Sequence, residues 1–302
     1  FQAAVGQGSA LASLTTDLDG SLVTTDKTFV HGGIVKTTGT QTYNDAVQVG
    51  TAALAPATAG VTTFVSTGAG NIKFNSTLDG ANEVVVNTAG GTYFQAAVGQ
   101  GAVLASLTTD LDNSLVSTDK TYVNGGEVQT TGAQTYNDPV LVGAAAVVPA
   151  TAGLTTFVST QAGDITFNNT LDGANAVEVN TAGLTQFNSF VGNTAPLTRL
   201  TTDAAGEVDF NVTLVNATDM SVKTTLAQTY NDDVVLLQST RMSSSKAGAV
   251  TFDKSINGAY GLTINTAGST QFNGRVGNTA PLMSLTTDLD SSLASTDKTY
   301  IN

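Results

Sequence analysis

Gln41-Thr42-Tyr43-Asn44-Asp45-Ala46-Val47 carries the pattern on which the chain is built: an aromatic residue, an asparagine, two variable positions and an aliphatic residue. The pattern returns as Phe74-Asn75-Ser76-Thr77-Leu78, Tyr136-Asn137-Asp138-Pro139-Val140, Phe167-Asn168-Asn169-Thr170-Leu171, Phe187-Asn188-Ser189-Phe190-Val191, Tyr230-Asn231-Asp232-Asp233-Val234 and Phe272-Asn273-Gly274-Arg275-Val276. Looser copies open at Phe1, Phe94 and Phe252. A motif used this often is an architectural unit rather than an active site.

A longer period lies over the short one. Residues 94–111 differ from residues 1–18 only at Ala102 and Val103, a spacing of 93. A third copy opens at Phe187 and a fourth at Phe272, so the long repeats are 1–93, 94–186, 187–271 and a partial repeat 272–302. Within them, Phe74 and Phe94 are 20 apart, as are Phe167 and Phe187, and Phe252 and Phe272. Periods of this size signal solenoids or domain arrays.

Composition agrees with strands. The 302 residues are 41% hydrophobic but only 12% charged, with 31 Gly and 5 Pro. Thr and Val favour strands, and Gly and Asn favour turns. Short alternating runs such as Val84-Val85-Val86-Asn87 are bounded by turn residues, and no helical period persists. The fold expected is all-β: a parallel β-helix, or β-solenoid, of about 20-residue coils, with aromatic and aliphatic side chains pointing inward and asparagines stacked as an amide ladder. The rival is one immunoglobulin-like sandwich per long repeat. A sandwich needs no internal 20-residue repeat and usually holds a core Trp, which this chain lacks. Residues 1–302 are therefore expected to form one continuous solenoid without linkers at 93 and 186. Its core should hold Phe74, Val84, Val86, Phe167, Val177, Val179, Phe252, Leu262 and Ile264.

The charge excludes some partners. With 11 basic and 24 acidic residues the net charge is −13. Nucleic acid is not expected, because phosphate binding needs clustered Lys and Arg. No apolar run approaches the ~20 residues of a membrane span, so no membrane insertion is expected. With no Cys there is no disulfide frame, thiol nucleophile or zinc-thiolate site.

Ser13-Leu14-Thr15-Thr16-Asp17, Thr37-Thr38-Gly39-Thr40-Gln41-Thr42-Tyr43-Asn44-Asp45 and Val86-Asn87-Thr88-Ala89-Gly90 resemble the repeat region of very large bacterial β-strand-repeat surface proteins, akin to filamentous-haemagglutinin-type exoproteins and autotransporter passengers. The resemblance spans the whole chain and concerns repeat type. It implies a right-handed β-helix exported to the cell surface or medium as a stalk or adhesive fibre. Secretion route and receptor are not carried over.

Candidate chemistry is sparse. Asp17-Leu18-Asp19-Gly20-Ser21 recurs as Asp110-Leu111-Asp112-Asn113-Ser114 and Asp288-Leu289-Asp290-Ser291-Ser292. Alternate oxygen side chains resemble the start of a calcium loop. The full loop requires Gly at its sixth position and Glu at its twelfth, where this chain has Leu22, Leu115 or Leu293 and Thr28, Thr121 or Thr299. Asp17, Asp19, Asp110, Asp112, Asp288 and Asp290 are thus candidate calcium ligands on a partial match, against a plain reading as solvated turns. A chelator is expected to leave the melting temperature nearly unchanged; a large fall would revive the calcium reading. His31, whose counterparts are Asn124 and Asn302, reads as a surface turn residue. Asp232-Asp233 is the one unusual carboxylate pair, and neighbouring strand residues face opposite sides. Asp45 and Asp138 read as members of a repeating edge. No catalytic residue and no cofactor is expected.

The function expected is a structural repeat segment of an extracellular fibre, stalk or adhesin. The alternatives are a carbohydrate-active β-helix enzyme, whose paired carboxylates would line a cleft, and a calcium-stiffened binding module. Residues 272–302 align with residues 1–31, and neither end reads as a cap. The expected partners are accordingly further coils, through continuation of a longer chain or end-to-end self-association.

Overall fold

The computed structural model describes residues 1–17, 26–50, 60–110, 119–143, 153–288 and 297–302. The chain divides into two compact units, Phe1–Thr151 and Ala152–Asn302. The described residues form strands and turns with no helix, and hence no helix long and apolar enough to cross a membrane. Every described strand pair is parallel. That excludes the antiparallel sandwich. Parallel neighbours cannot be joined by a hairpin, so the chain must travel away and return.

In the first unit it returns to three ladders in turn. One contains Leu14–Thr16, Gln41–Tyr43, Ile72–Phe74, Gly91–Phe94, Lys120–Val123 and Val140–Val142. A second contains Ile34–Thr37, Val61–Ser66, Glu83–Thr88, Ser106–Thr109 and Gln134–Tyr136. The third contains Lys27–Val30, Ala46–Val49 and Leu78–Gly80, continued by single bridges from Leu78 to Val98 and Val128. The second unit repeats this scheme. Its longest ladder runs from Leu154–Ser159 through Ala176–Asn180, Arg199–Thr202, Gln228–Tyr230, Val250–Phe252 and Ser269–Phe272 to Lys298–Ile301. Positions 93 and 186 lie inside the strands Gly91–Phe94 and Leu184–Phe187, so no linker falls there.

The core is where the alternation puts it. All nine residues expected inside are at most 1% exposed. Aromatics stack turn on turn: Tyr43 on Phe74 at 5.2 Å and Phe74 on Phe94 at 5.6 Å between ring centroids. Phe64 meets both Tyr43 and Phe74 edge-on. In the second unit Phe167, Phe187 and Phe210 form one column, and Tyr230, Phe252 and Phe272 another.

Asparagines of successive turns form rungs of the expected ladder, whereas Asn137 and Asn231 donate to the Thr109 and Thr202 carbonyls. Asn75 Nδ2 donates to Asn44 Oδ1 at 2.7 Å, Asn188 to Asn168 at 2.8 Å, Asn211 to Asn188 at 3.1 Å and Asn302 to Asn273 at 2.8 Å. Asn188 is both donor and acceptor in the row, so Asn188→Ala removes two rungs. We expect a loss of about 1–3 kcal/mol, at about 0.5–1.5 kcal/mol per net hydrogen bond, read from chemical denaturation.

The length of a return varies more than the sequence period suggests. Successive rungs are 20 residues apart between Asn168 and Asn188, 23 between Asn188 and Asn211, 29 between Gln95 and Asn124 and 31 between Asn44 and Asn75. The described strands keep their register across these different lengths. A consequence is that the 93-residue repeat is not a whole number of returns. Gln41–Tyr43 and its copy Gln134–Tyr136 lie in different ladders of the first unit.

At Gly80 one turn rests so closely on another that no side chain fits. Gly80 has φ +135°, and a Cβ there would lie 1.8 Å from the Val49 carbonyl oxygen. Gly80→Ala is expected to lose at least about 1–3 kcal/mol from backbone strain alone, measured by thermal or urea unfolding. The same close stacking corrects the reading of His31, which is 7% exposed rather than a surface turn residue. Its N–H donates to the Phe1 carbonyl, its ring stacks on Phe29, and Gly32 beside it abuts the backbone of Ala3.

Candidate functional site

The Tyr-Asn-Asp motif builds a polar cluster into an apolar core. Gln41 is fully buried two residues before Tyr43, so both side chains point inward. Its amide donates to the carbonyls of Val35 and Val65 at 3.1 and 2.8 Å and to Thr37 Oγ1, while its Oε1 accepts the Tyr43 hydroxyl at 2.9 Å. Tyr136 donates to Gln134 at 2.9 Å and Tyr230 to Gln228 at 3.0 Å. Burial, then the neighbouring Asp45, Asp138 or Asp232, raises each phenol's pKa well above its ordinary value. Such groups are tolerated inside because each has its partner. The signal was present in the sequence: Phe74, Phe167 and Phe252 follow Ile72, Ile165 and Val250 by two residues, and the other buried strand Phe follow Thr or Val, whereas Tyr43, Tyr136 and Tyr230 follow Gln.

The aspartate that follows turns the corner with its carboxylate tucked inward. Asp45, Asp138 and Asp232 are 7%, 2% and 1% exposed, which corrects the reading of Asp45 and Asp138 as edge residues. The physical reason is a pair of hydroxyl donors. Asp45 accepts from Thr16 Oγ1 at 2.6 Å and from Thr28 Oγ1 at 2.8 and 2.9 Å. Asp138 accepts from Thr109 at 2.8 Å and from Thr121 at 2.9 Å.

Asp232 has only the first of these donors, Thr202. In the third repeat Asp203-Ala204-Ala205-Gly206 leads directly into Glu207–Phe210. Val208 there pairs with Val234, as Thr28 pairs with Val47 and Thr121 with Val140. A valine therefore stands where the second hydroxyl would be, and Asp232 Oδ2 is buried without a hydrogen-bond partner. Burial pushes the Asp232 carboxyl up to about 7, with Asp203 adding to the rise and Lys254 opposing it. Burial pushes Asp138 up to about 6 against its two threonine bonds.

This arrangement can hold a proton near neutral pH. It offers no substrate cleft, because the carboxylates are covered. Asp232 and Asp233 diverge, the first bonding Thr202 on one neighbouring turn and the second bonding Ser255 at 2.6 Å on another. Of the calcium candidates, Asp19, Asp112 and Asp290 lie outside the described residues. Asp17, Asp110 and Asp288 have left-handed backbones, with φ of 48°, 48° and 56°. Asp tolerates this conformation better than most residues. Among the described residues no group of three or more His, Cys, Asp or Glu is placed to hold a metal ion.

No family model, curated protein or solved structure matches the chain.

Proposed function

We propose that the chain is a structural repeat segment of an extracellular fibre, stalk or adhesin, resembling bacterial β-strand-repeat surface proteins. In this reading it winds as one right-handed β-helix through residues 1–302, and its shortest turns are close to 20 residues. Its partners are further turns of the same kind, in its own chain or in a second copy. The supporting observation is that parallel strands, aromatic columns and asparagine rungs repeat turn after turn. Such a stack gains length and stiffness from little sequence information. The covered aspartates Asp45, Asp138 and Asp232 suit a packed structural role.

The test combines solution scattering with an activity screen. Turns of about 20 residues stacked at about 4.8 Å give a rod of roughly 70 Å for the whole chain, and fewer, longer turns give a shorter one. A rod profile with resistance to proteases and no turnover of polysaccharides is the expected result. Cleavage of a polysaccharide by the purified chain, or a profile of two independently moving bodies, would overturn the reading.

A further inference from the structure

The outer face of one ladder in the first unit carries an aromatic pair that the proposed function does not use. Tyr93 and Tyr122 are directly opposite on the paired strands Gly91–Phe94 and Lys120–Val123. Their rings are stacked, with centroids 4.4 Å apart and planes 3° from parallel. Both are partly exposed. Lys73, on the next strand, holds its ammonium 5.4 Å from the centroid of Tyr93 and confines that ring from the other side.

Tyr93 has a seat made for it. A Cβ on Gly91 would lie 2.6 Å from Tyr93 Cε2 and 2.9 Å from its hydroxyl, so the ring lies back over a residue that has no side chain. The corresponding residues in the other repeats are Leu184 with Gln186 and Ser269 with Gln271. Glycine and tyrosine thus occur together, and only in this repeat. The remaining tyrosines are placed differently. Tyr43, Tyr136 and Tyr230 are fully buried, each bonded to its glutamine.

We propose that Tyr93 and Tyr122 are a built-in site of oxidative cross-linking, joined as an intramolecular dityrosine by a haem-peroxidase-type one-electron oxidant with hydrogen peroxide as terminal acceptor. Each phenol gives up one electron and one proton. The two phenoxyl radicals couple through ring carbons ortho to the hydroxyls and form one carbon–carbon bond. The hydrogens on those carbons move to the oxygens and restore both phenols. The two electrons and two protons reduce one hydrogen peroxide to two waters. Prior stacking makes the coupling unimolecular, which favours it over encounters between molecules. The product staples two adjacent turns across the strand pair, a function independent of where the protein resides.

The experiment treats the purified full-length chain with a plant haem peroxidase and hydrogen peroxide at low protein concentration. The monomer fraction is then isolated and read by dityrosine fluorescence and tryptic peptide mass. The expected result is a linked pair of peptides, one ending at Lys120 and one beginning at Thr121, two hydrogens lighter than their sum and joined through Tyr93 and Tyr122. Tyr122→Phe and Tyr93→Phe should each lose this product. Phe29 already occupies the position of Tyr122 in the first repeat, so the first variant should fold, and an unchanged thermal transition checks that it does. Monomer fluorescence that survives either variant, a linkage through Tyr260 or Tyr300, or no dityrosine where free tyrosine dimerises would each overturn the proposal.

Discussion

Phe167→Ala lowers the unfolding free energy of the second unit by about 3–5 kcal/mol, the range for truncating a core aromatic. Phe167 is 1% exposed. Its ring stacks on Phe187 at 5.5 Å and meets Phe157 edge-on at 5.1 Å. Both neighbours belong to paired strands whose register is set by backbone bonds, so they cannot collapse into the space left behind. The cavity term therefore adds to the lost transfer energy. Urea denaturation followed by circular dichroism measures the effect. A loss below about 0.5 kcal/mol would contradict a packed aromatic column, since surface substitutions stay within that limit.

Acidification is expected to strengthen this protein through Asp232. Its folded pKa, about 7, lies above the ordinary value of 3.8. Below pH 4 the group is protonated in both states and its full contribution is present. As pH rises from about 4 to about 7 the unfolded chain loses the proton while the folded chain keeps it. Stability then falls by up to about 1.4 kcal/mol per pH unit, or about 4 kcal/mol in all. Asp232→Asn cannot titrate. The stability of this variant relative to the parent should grow by about that amount between pH 4 and pH 8, whatever offset the amide introduces. A pH-independent difference would show that Asp232 titrates like an exposed carboxylate. Asp138, at about 6, should give a smaller change of the same sign in the first unit.

These two residues mark how far the sequence could be read. Phe167 was legible: an aromatic 20 residues before another, followed by Asn, can stack only if both point inward. The all-β class and the asparagine rungs followed from the same spacing. Return length was harder to read, because the spacing of equivalent positions changes, as between Asn44 and Asn75, while the strands on either side stay paired. The polar interior was obscured for another reason. Hydropathy places Gln41, Asp138 and His31 outside, and only a specific donor or a covering turn brings them in. Gln41 is held by Tyr43, Asp138 by Thr109 and Thr121, and His31 lies beneath a corner packed on Ala3. The donors of Asp138 come from strands 17 and 29 residues away, beyond the reach of a local pattern.

The asparagine rungs share one direction. In each, the later residue donates and the earlier accepts. Their dipoles therefore add along the row, as peptide dipoles add along a helix, and the hydrogen-bearing, positive end faces the lower-numbered turns. At such an end an anion is favoured. In the row through Asn302 and Asn273 that end meets Asp253, whose Oδ1 accepts from Asn273 at 2.6 Å. This is shorter than the amide–amide rungs, as expected of a charged acceptor. The row ends at Asp253, and its polarisation runs one way. The side-chain row is a polar axis, and a strand added with the opposite sense would meet amide against amide with donors facing donors.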